Sequence, residues 1–361
     1  MKPEVFILIT YLDHASPVKG AIALARGLSE KYQVSLVALN GIKIQSPFGP
    51  EIKVLSLDNY RGLFNKYIAY SRLLQGPRKT GTKPVSISFC FPADLVNVFQ
   101  KNRAIIISSM RGMFTRSYRA SFGRLGYLLA VFHIYLFKFY DRVIVMTQSM
   151  QQLLKQHGVK NVLRINNFLD EISLIPFRKE EQRTDSLVRF LFLGNLNKRK
   201  QPQILIPYIK KLIDLDYDCK LTFIGDGPFR ESITNQMKDL KLEKRVELIG
   251  FIPEPYDIIQ ETDFLLLPSK SEGLSRSVME ALFFGIPCIM SNIDGADEII
   301  KSEKNGYLYN NEEELIDIMI GIISEFTPDT VRQRKLILPD SYRYRTNIER
   351  YLNLIDIITS S

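Results

Sequence analysis

Short apolar runs ending at Gly, Pro, Asn or Asp recur along this chain, with longer segments of helical periodicity between them. That alternation constrains the fold more than any other feature, because it is the pattern of βα units around mostly parallel sheets. The first half supplies the strands "VFILIT", "VSLVAL", "KVLSL", "SISFCF", "AIIIS" and "RVIVMT". Between the first two lies "SPVKGAIALARGLSEKY", in which Ser16 caps, Pro17 suits the first helical position, and Ile22, Leu24, Ala25 and Leu28 form the inward face. A second series runs through "RFLFLG", "KLTFIGDG", "RVELIG", "DFLLLPS" and "PCIMS". The polar stretch "FRKEEQRTDS" separates the two, which divides the chain into a domain at 1–176, a linker at 177–186, a second domain at 187–340 and a closing helix within 341–361 that packs back towards the first domain.

At 361 residues the chain can bury two cores. Its net charge of +9 hides an asymmetry: residues 1–179 hold 25 Lys/Arg against 9 Asp/Glu, and residues 180–361 hold 23 against 30. A basic half suits anionic lipid, a lipid phosphate or nucleic acid. Cys90, Cys219 and Cys288 are far apart and sit within or beside apolar runs, so they are expected as reduced core thiols in a cytosolic setting. The run after Glu4 is interrupted too soon for a signal peptide or a span, and "GYLLAVFHIYLFKFY" falls short of the roughly 18 residues a span requires.

Open α/β sheets place ligands at the carboxyl ends of their strands, and the cleft between two such domains is the expected site. In the second half Gly194 to Lys200, Gly225 to Pro228, Gly250 to Pro253 and Ser269 to Ser277 all follow strands directly. The last belongs to "SEGLSRSVMEALFFGIPCI", expected as a helix whose first turn is polar and whose end is marked by Gly285 and Pro287. Glu272 and Glu280 are eight residues apart, roughly 12 Å of helical rise, too far for a catalytic carboxylate pair. They can instead grip a long ligand at two places, with an anion over the helix N-terminus between them, which is the layout of a nucleotide sugar. The competing reading is local: Glu272 caps the helix and Glu280 makes a surface ion pair.

The stretches "LGNLNKRK", "LTFIGDGPFRESI", "VELIGFI", "DFLLLPSKSEGLSRSVMEALFFGIPCIMSNIDGADEII" and "NGYLY" resemble the retaining glycosyltransferases of glycosyltransferase family 4, including that family's Glu, seven residues, Glu signature. The resemblance implies a GT-B fold, two doubly wound Rossmann-like domains facing each other across a cleft. It implies that Glu272 meets the donor sugar, that Gly273, Leu274 and Ser275 approach sugar and pyrophosphate, and that Glu280 holds the ribose. Lys200 falls where the family places a lysine near the pyrophosphate, with Lys198 and Arg199 nearby as alternative cations for the leaving group, so Glu272, Lys200 and Arg199 are the expected catalytic group. Gly194, Asn195, Gly225 and Gly227 complete the donor set, Asn195 standing where the family often has arginine.

The first half resembles the family less. Its diglycine loop is reduced to "ASPVKGA", and the histidine many members carry after the fifth strand gives way to Met110 and Arg111. His14, Lys19, Gly20 and Arg111 are the acceptor-side candidates, with Arg111 either holding an acceptor phosphate or making a structural ion pair. In "RGMFTRSYRASFGRLGYLLAVFHIYLFKFYDR", Arg111, Arg116, Arg119 and Arg124 could meet lipid head groups, while Leu128, Phe132, Tyr135 and Phe139 are expected to form a core stripe.

The expected activity is retaining transfer of a sugar from a nucleoside diphosphate, a UDP-sugar, to a hydroxyl of a glycan or polyprenyl-linked acceptor at the cytosolic face of the membrane. No metal is expected to be required, since fixed positive charge around Lys200 can do its work, and Asp214, Asp216 and Asp218 read as a solvated turn rather than an ion site. The rival readings are a nucleotide-sugar epimerase or phosphorylase in the same shell, and a nucleic-acid-binding protein, which no recognition motif supports.

Overall fold

Both apolar series become parallel sheets in the computed structural model, which describes residues 3–13, 16–44, 51–76, 82–112, 114–179, 185–301, 304–327 and 335–360. The chain divides into two compact units, Met1–Asp170 with Asp340–Ser361, and Glu171–Pro339.

In the first unit the strands are β1 (Glu4–Ile9), β2 (Gln33–Ala38), β3 (Ile52–Ser56), β4 (Val85–Phe89), β5 (Ile105–Ser109), β6 (Arg142–Val145) and β7 (Val162–Arg164), in the order β3-β2-β1-β4-β5-β6-β7. Every pairing is parallel. Helices α1 (Ser16–Ser29), α2 (Gly62–Leu74), α3 (Phe91–Asn97), α4 (Phe114–Phe137) and α5 (Gln148–Gln156) connect them. In the second unit β8 (Val188–Leu193), β9 (Cys219–Ile224), β10 (Val246–Gly250), β11 (Phe264–Leu267), β12 (Cys288–Ser291) and β13 (Gly306–Tyr309) run in the order β10-β9-β8-β11-β12-β13, again all parallel. Its helices are α6 (Leu205–Asp214), α7 (Arg230–Asp239), α8 (Tyr256–Gln260), α9 (Arg276–Phe283), α10 (Ala296–Ile299) and α11 (Glu312–Ser324). In each sheet the strand order reverses once, at β1/β4 and at β8/β11. Those reversals open a crevice at the strands' carboxyl ends, and they place the loops after β8 and β11 side by side.

The last helix, α12 (Tyr344–Ser360), belongs to the first unit. Ile348, Tyr351 and Ile355 join the core formed by Ile22, Leu24, Ala25 and Leu28 of α1 and the faces of β1 and β2. Gly27 makes this contact possible: a Cβ there would lie 2.4 Å from Ile348 Cδ1. The Lys31 ammonium and the Tyr32 hydroxyl close the joint by bonding the Asp356 carboxylate.

Beneath α4 lies a buried polar network that the apolar pattern did not announce. Ser88 and Ser108 both donate to Asp94 Oδ1, at 2.6 and 2.8 Å, and Asp94 Oδ2 meets His133 Nε2 at 2.9 Å. All four side chains are buried.

Four expectations need correction. Strands β7 and β13 were not anticipated, being only three and four residues long. Helix α9 begins at Arg276, so Glu272, Gly273 and Ser275 precede it rather than forming its first turn. Cys219 and Cys288 are buried, but Cys90 is exposed, because the chain leaves β4 there with φ 73° to start α3. The fourth concerns α4. Leu128, Phe132, Tyr135 and Phe139 are not core: they are 63, 46, 53 and 45% exposed. Periodicity separates the faces of a helix without saying which turns inward. Here Asp94 decides it, holding His133 inside together with Ala130, Ile134 and Phe137.

Replacing Gly27 by Ala should gain up to about 1 kcal/mol of helix propensity and lose about 1–3 kcal/mol to overpacking against Ile348, a net destabilisation. In a double-mutant cycle with Ile348→Ala, measured by urea unfolding, the two changes should be far from additive.

Candidate donor site in the second unit

The loop after β8 is shaped by Asn197, whose Oδ1 accepts the N–H groups of Arg199 and Lys200 at 3.1 and 3.0 Å. This Asx-type turn folds the two basic residues back over the strand end. Lysine 200 then crosses the backbone at Gly194, where a Cβ would come within 2.8 Å of its side chain. Gly225, at the end of β9 with φ 142°, is more tightly constrained: a Cβ would sit 1.9 Å from the Gly194 carbonyl oxygen. Only glycine fits, so the β8 and β9 loops stack backbone on backbone. Gly227 repeats the theme against the Leu196 carbonyl and the Asn195 side chain.

The loop after β11 brings Glu272 to these cations. Its Oε1 lies 3.1 Å from Lys200 Nζ and its Oε2 2.9 Å from Arg199 Nη1, while Ser269 Oγ donates to Oε1 at 2.9 Å. Two main-chain contacts fasten the same loops: Lys270 N–H to Arg199 O at 2.8 Å, and Arg199 Nη1 to Ser271 O at 2.7 Å. Burial of Glu272 would raise its pKa, but the charges of Lys200 and Arg199, with hydrogen bonds from Arg199 and Ser269, outweigh burial and hold it below the usual glutamate range. Two cations share one carboxylate, so the cluster keeps surplus positive charge in a site where Lys200 and Glu272 are nearly closed to water.

Ser275 occupies the N-cap of α9 in extended conformation, yet its side chain does not cap the helix; its Oγ bonds Ser277 Oγ at 2.9 Å. Leu274 is buried beside it. Glu280 stands in the second turn, also buried, 3.6 Å from Arg276 Nη2. Arg276, Asn197 and Ser269 are the residues whose side chains sequence reasoning passed over. Arg276 is the most consequential, since its Nε and Nη1 are buried with no hydrogen-bond partner among the described residues. Asn followed at two and three residues by the donors it binds was a readable signal; the inward turn of Arg276 was not.

In the first unit Gly20, Arg111 and Asn167 meet. The Arg111 guanidinium lies over the Phe89 ring at 4.4 Å, its Nη1 donates to Asn167 Oδ1 at 3.0 Å, and the space left by Gly20 admits it at 3.5 Å. Lys19 is half-buried one residue before Gly20. His14 lies outside the described residues. Asp214 and Asp218 pair with Lys210 and Arg245, and no cluster of metal-ligating side chains occurs among the described residues.

This architecture is the GT-B fold, as comparison with solved structures shows. Anabaena HepE in complex with UDP superposes with a TM-score of 0.78 over 99% of this chain and 100% of that one, at 15% identity. Residues 176–328, most of the second unit, match the family model described as Glycosyl transferases group 1. An Escherichia coli protein named UDP-Gal:alpha-D-GlcNAc-diphosphoundecaprenol alpha-1,3-galactosyltransferase is 32% identical over 145 residues, covering 39% of this chain and 37% of that protein. A Campylobacter jejuni alpha-1,4-N-acetyl-D-galactosaminyltransferase, named for a diNAcBac-PP-undecaprenol acceptor, is 25% identical over 331 residues, 86% of each chain. The chain spans about two fifths of the length of the curated relatives it matches first.

Removing the Glu272 charge leaves Lys200 buried without its counterion, so Glu272→Gln should destabilise the second unit by about 3–5 kcal/mol. The depressed pKa also sets a pH dependence. The contribution of Glu272 is complete above the ordinary glutamate pKa of about 4.3 and is lost as pH falls through its lower folded value. Thermal unfolding of wild type should therefore weaken more steeply than that of Glu272→Gln as pH is lowered below about 4.

Proposed function

We propose that this protein is a retaining glycosyltransferase of family 4. It moves a sugar from a nucleoside diphosphate to a hydroxyl of a glycan acceptor carried on a polyprenyl diphosphate, at the cytosolic face of the membrane. The observation that carries this reading is the surplus positive charge of the Lys200, Arg199 and Glu272 cluster, set beside the N-terminus of α9 in the unit that matches the family model. A diphosphate leaving group gains negative charge as the bond to the sugar breaks. Fixed cations and helix N–H groups already in place stabilise that charge without reorganisation. The buried donors of Arg276 add to them, and Glu280 accepts from the ribose diol. Glu272, held in place by its two cations, presents its carboxylate to the sugar.

UDP is the proposed nucleotide, supported by the UDP bound in HepE and the UDP-Gal of the Escherichia coli relative's name. The polyprenyl acceptor follows the names of both curated relatives. Arg111, preset by Phe89 and Asn167, is the proposed anchor for an acceptor phosphate. Fixed positive charge takes the place of a divalent metal.

A panel of nucleotide sugars, scored for hydrolysis and then for transfer, tests the reading. Lys200→Ala should lower kcat/KM by about 2–4 kcal/mol of transition-state stabilisation in protein shown to be folded. Proton NMR of the first-formed glycoside should show the donor's anomeric configuration, with and without chelator. An inverted anomer would remove the family assignment, and loss of transfer in chelator that magnesium or manganese restores would overturn the metal-independent mechanism.

A further inference from the structure

The exposed face of α4 is an apolar feature that the site description leaves unused. Leu125, Leu128, Phe132 and Tyr135 of α4, and Phe139 in the turn that follows it, succeed one another at intervals of three and four residues, all exposed. They lie on the side opposite Ala130, His133 and Phe137, whose inward direction the buried Asp94 holds. Exposed single hydrophobic residues are ordinary; five in one continuous stripe mark a surface with a partner.

The charge around the stripe identifies the partner. Residues 95–169 contain 11 Lys/Arg and a single acidic residue, Asp141. That one carboxylate is already engaged, accepting the Ile106 N–H at 2.8 Å with Lys101 at 3.8 Å. Exposed cations border the stripe itself: Arg124 precedes Leu125, Lys138 lies against the Tyr135 ring, and Lys101 donates to the Phe139 carbonyl. Arg116 and Arg119 lie in the helical segment before Gly123, where the backbone at φ 57° and ψ −129° kinks α4, and their side chains are outside the described residues. No helix among the described residues is long and apolar enough to cross a membrane. An apolar stripe rimmed by cations, too short to span, is the pattern of a helix lying in the plane of an anionic bilayer.

We infer that α4 is a membrane-docking helix, sinking Leu125, Leu128, Phe132, Tyr135 and Phe139 into the headgroup and acyl boundary while Arg124, Lys138 and Lys101 meet anionic lipid phosphates. The inference rests on the membrane-face part of the proposed function and not on its transfer chemistry. It differs from simple electrostatic adsorption, because apolar insertion survives salt that screens the cations.

The chain has no tryptophan, so Phe132→Trp places a single tryptophan, excited selectively over the tyrosines, in the stripe. In full-length protein its emission should shift to the blue with phosphatidylglycerol-containing vesicles, be quenched by brominated acyl chains, and stay unchanged with phosphatidylcholine alone. The triple variant Leu128→Ser, Phe132→Ser, Tyr135→Ser should lower co-sedimentation with the anionic vesicles by at least about tenfold while unfolding at the wild-type temperature, since only exposed side chains are lost. Bound protein with an unshifted, unquenched Trp, or a triple variant that sediments like wild type, would overturn α4 as the docking surface. So would concentration-dependent dimerisation of wild type that the triple variant abolishes, since a second copy would then cover the stripe. The vesicle assay contains no sugar nucleotide, and donor hydrolysis by the triple variant reports separately on the second unit, so either reading can fail alone.

Discussion

A glutamate shared by two cations organises the second unit. Glu272 comes from the β11 loop, Lys200 and Arg199 from the β8 loop, and their ion pairs hold together two segments that the strand order merely places side by side. Burying such charges is expensive, and their mutual attraction offsets the cost only where hydrogen bonds complete the arrangement. Asn197 and Ser269 supply those bonds. The glycines at 194 and 225 then follow as a steric necessity, because the lysine and the neighbouring loop occupy the space a side chain would need.

The first unit solves a similar problem with neutral and charged groups in one network. Ser88 and Ser108 point from adjacent strands towards Asp94 on α3, and His133 reaches it from α4. Every partner is buried, so this network is as directional as the Glu272 cluster and sets the rotation of α4 about its axis. The same helix is apolar on both sides. Hydrophobicity alone would let either side face the sheet, and a single histidine settles which does.

This is also where the sequence stops being legible. Eleven of the thirteen strands coincide with the apolar runs read from the chain, because a parallel strand buried on both faces leaves an unbroken hydrophobic signature. Two such series implied two doubly wound α/β domains, and the GT-B arrangement came with the family resemblance of the second half. Glu272, Lys200 and Arg199 could be grouped by motif, and the structure puts them in contact. What the chain did not disclose was direction: that Arg276 turns inward, that Cys90 turns out, and that the aromatic side of α4 faces away from the core. Arg276 pairs with Glu280 four residues on and Cys90 follows a backbone turn, whereas the rotation of α4 depends on Asp94, a partner distant in sequence that neither periodicity nor spacing encodes.

The position of α12 has a consequence for how the chain is made. Its residues Ile348, Tyr351 and Ile355 fill the core of a unit whose other strands and helices all lie before residue 171, with the whole of the second unit synthesised in between. During translation the second unit therefore has its complete complement of secondary structure before the first does. The first must wait on the ribosome with an open apolar groove along α1, the situation in which chaperones engage nascent chains.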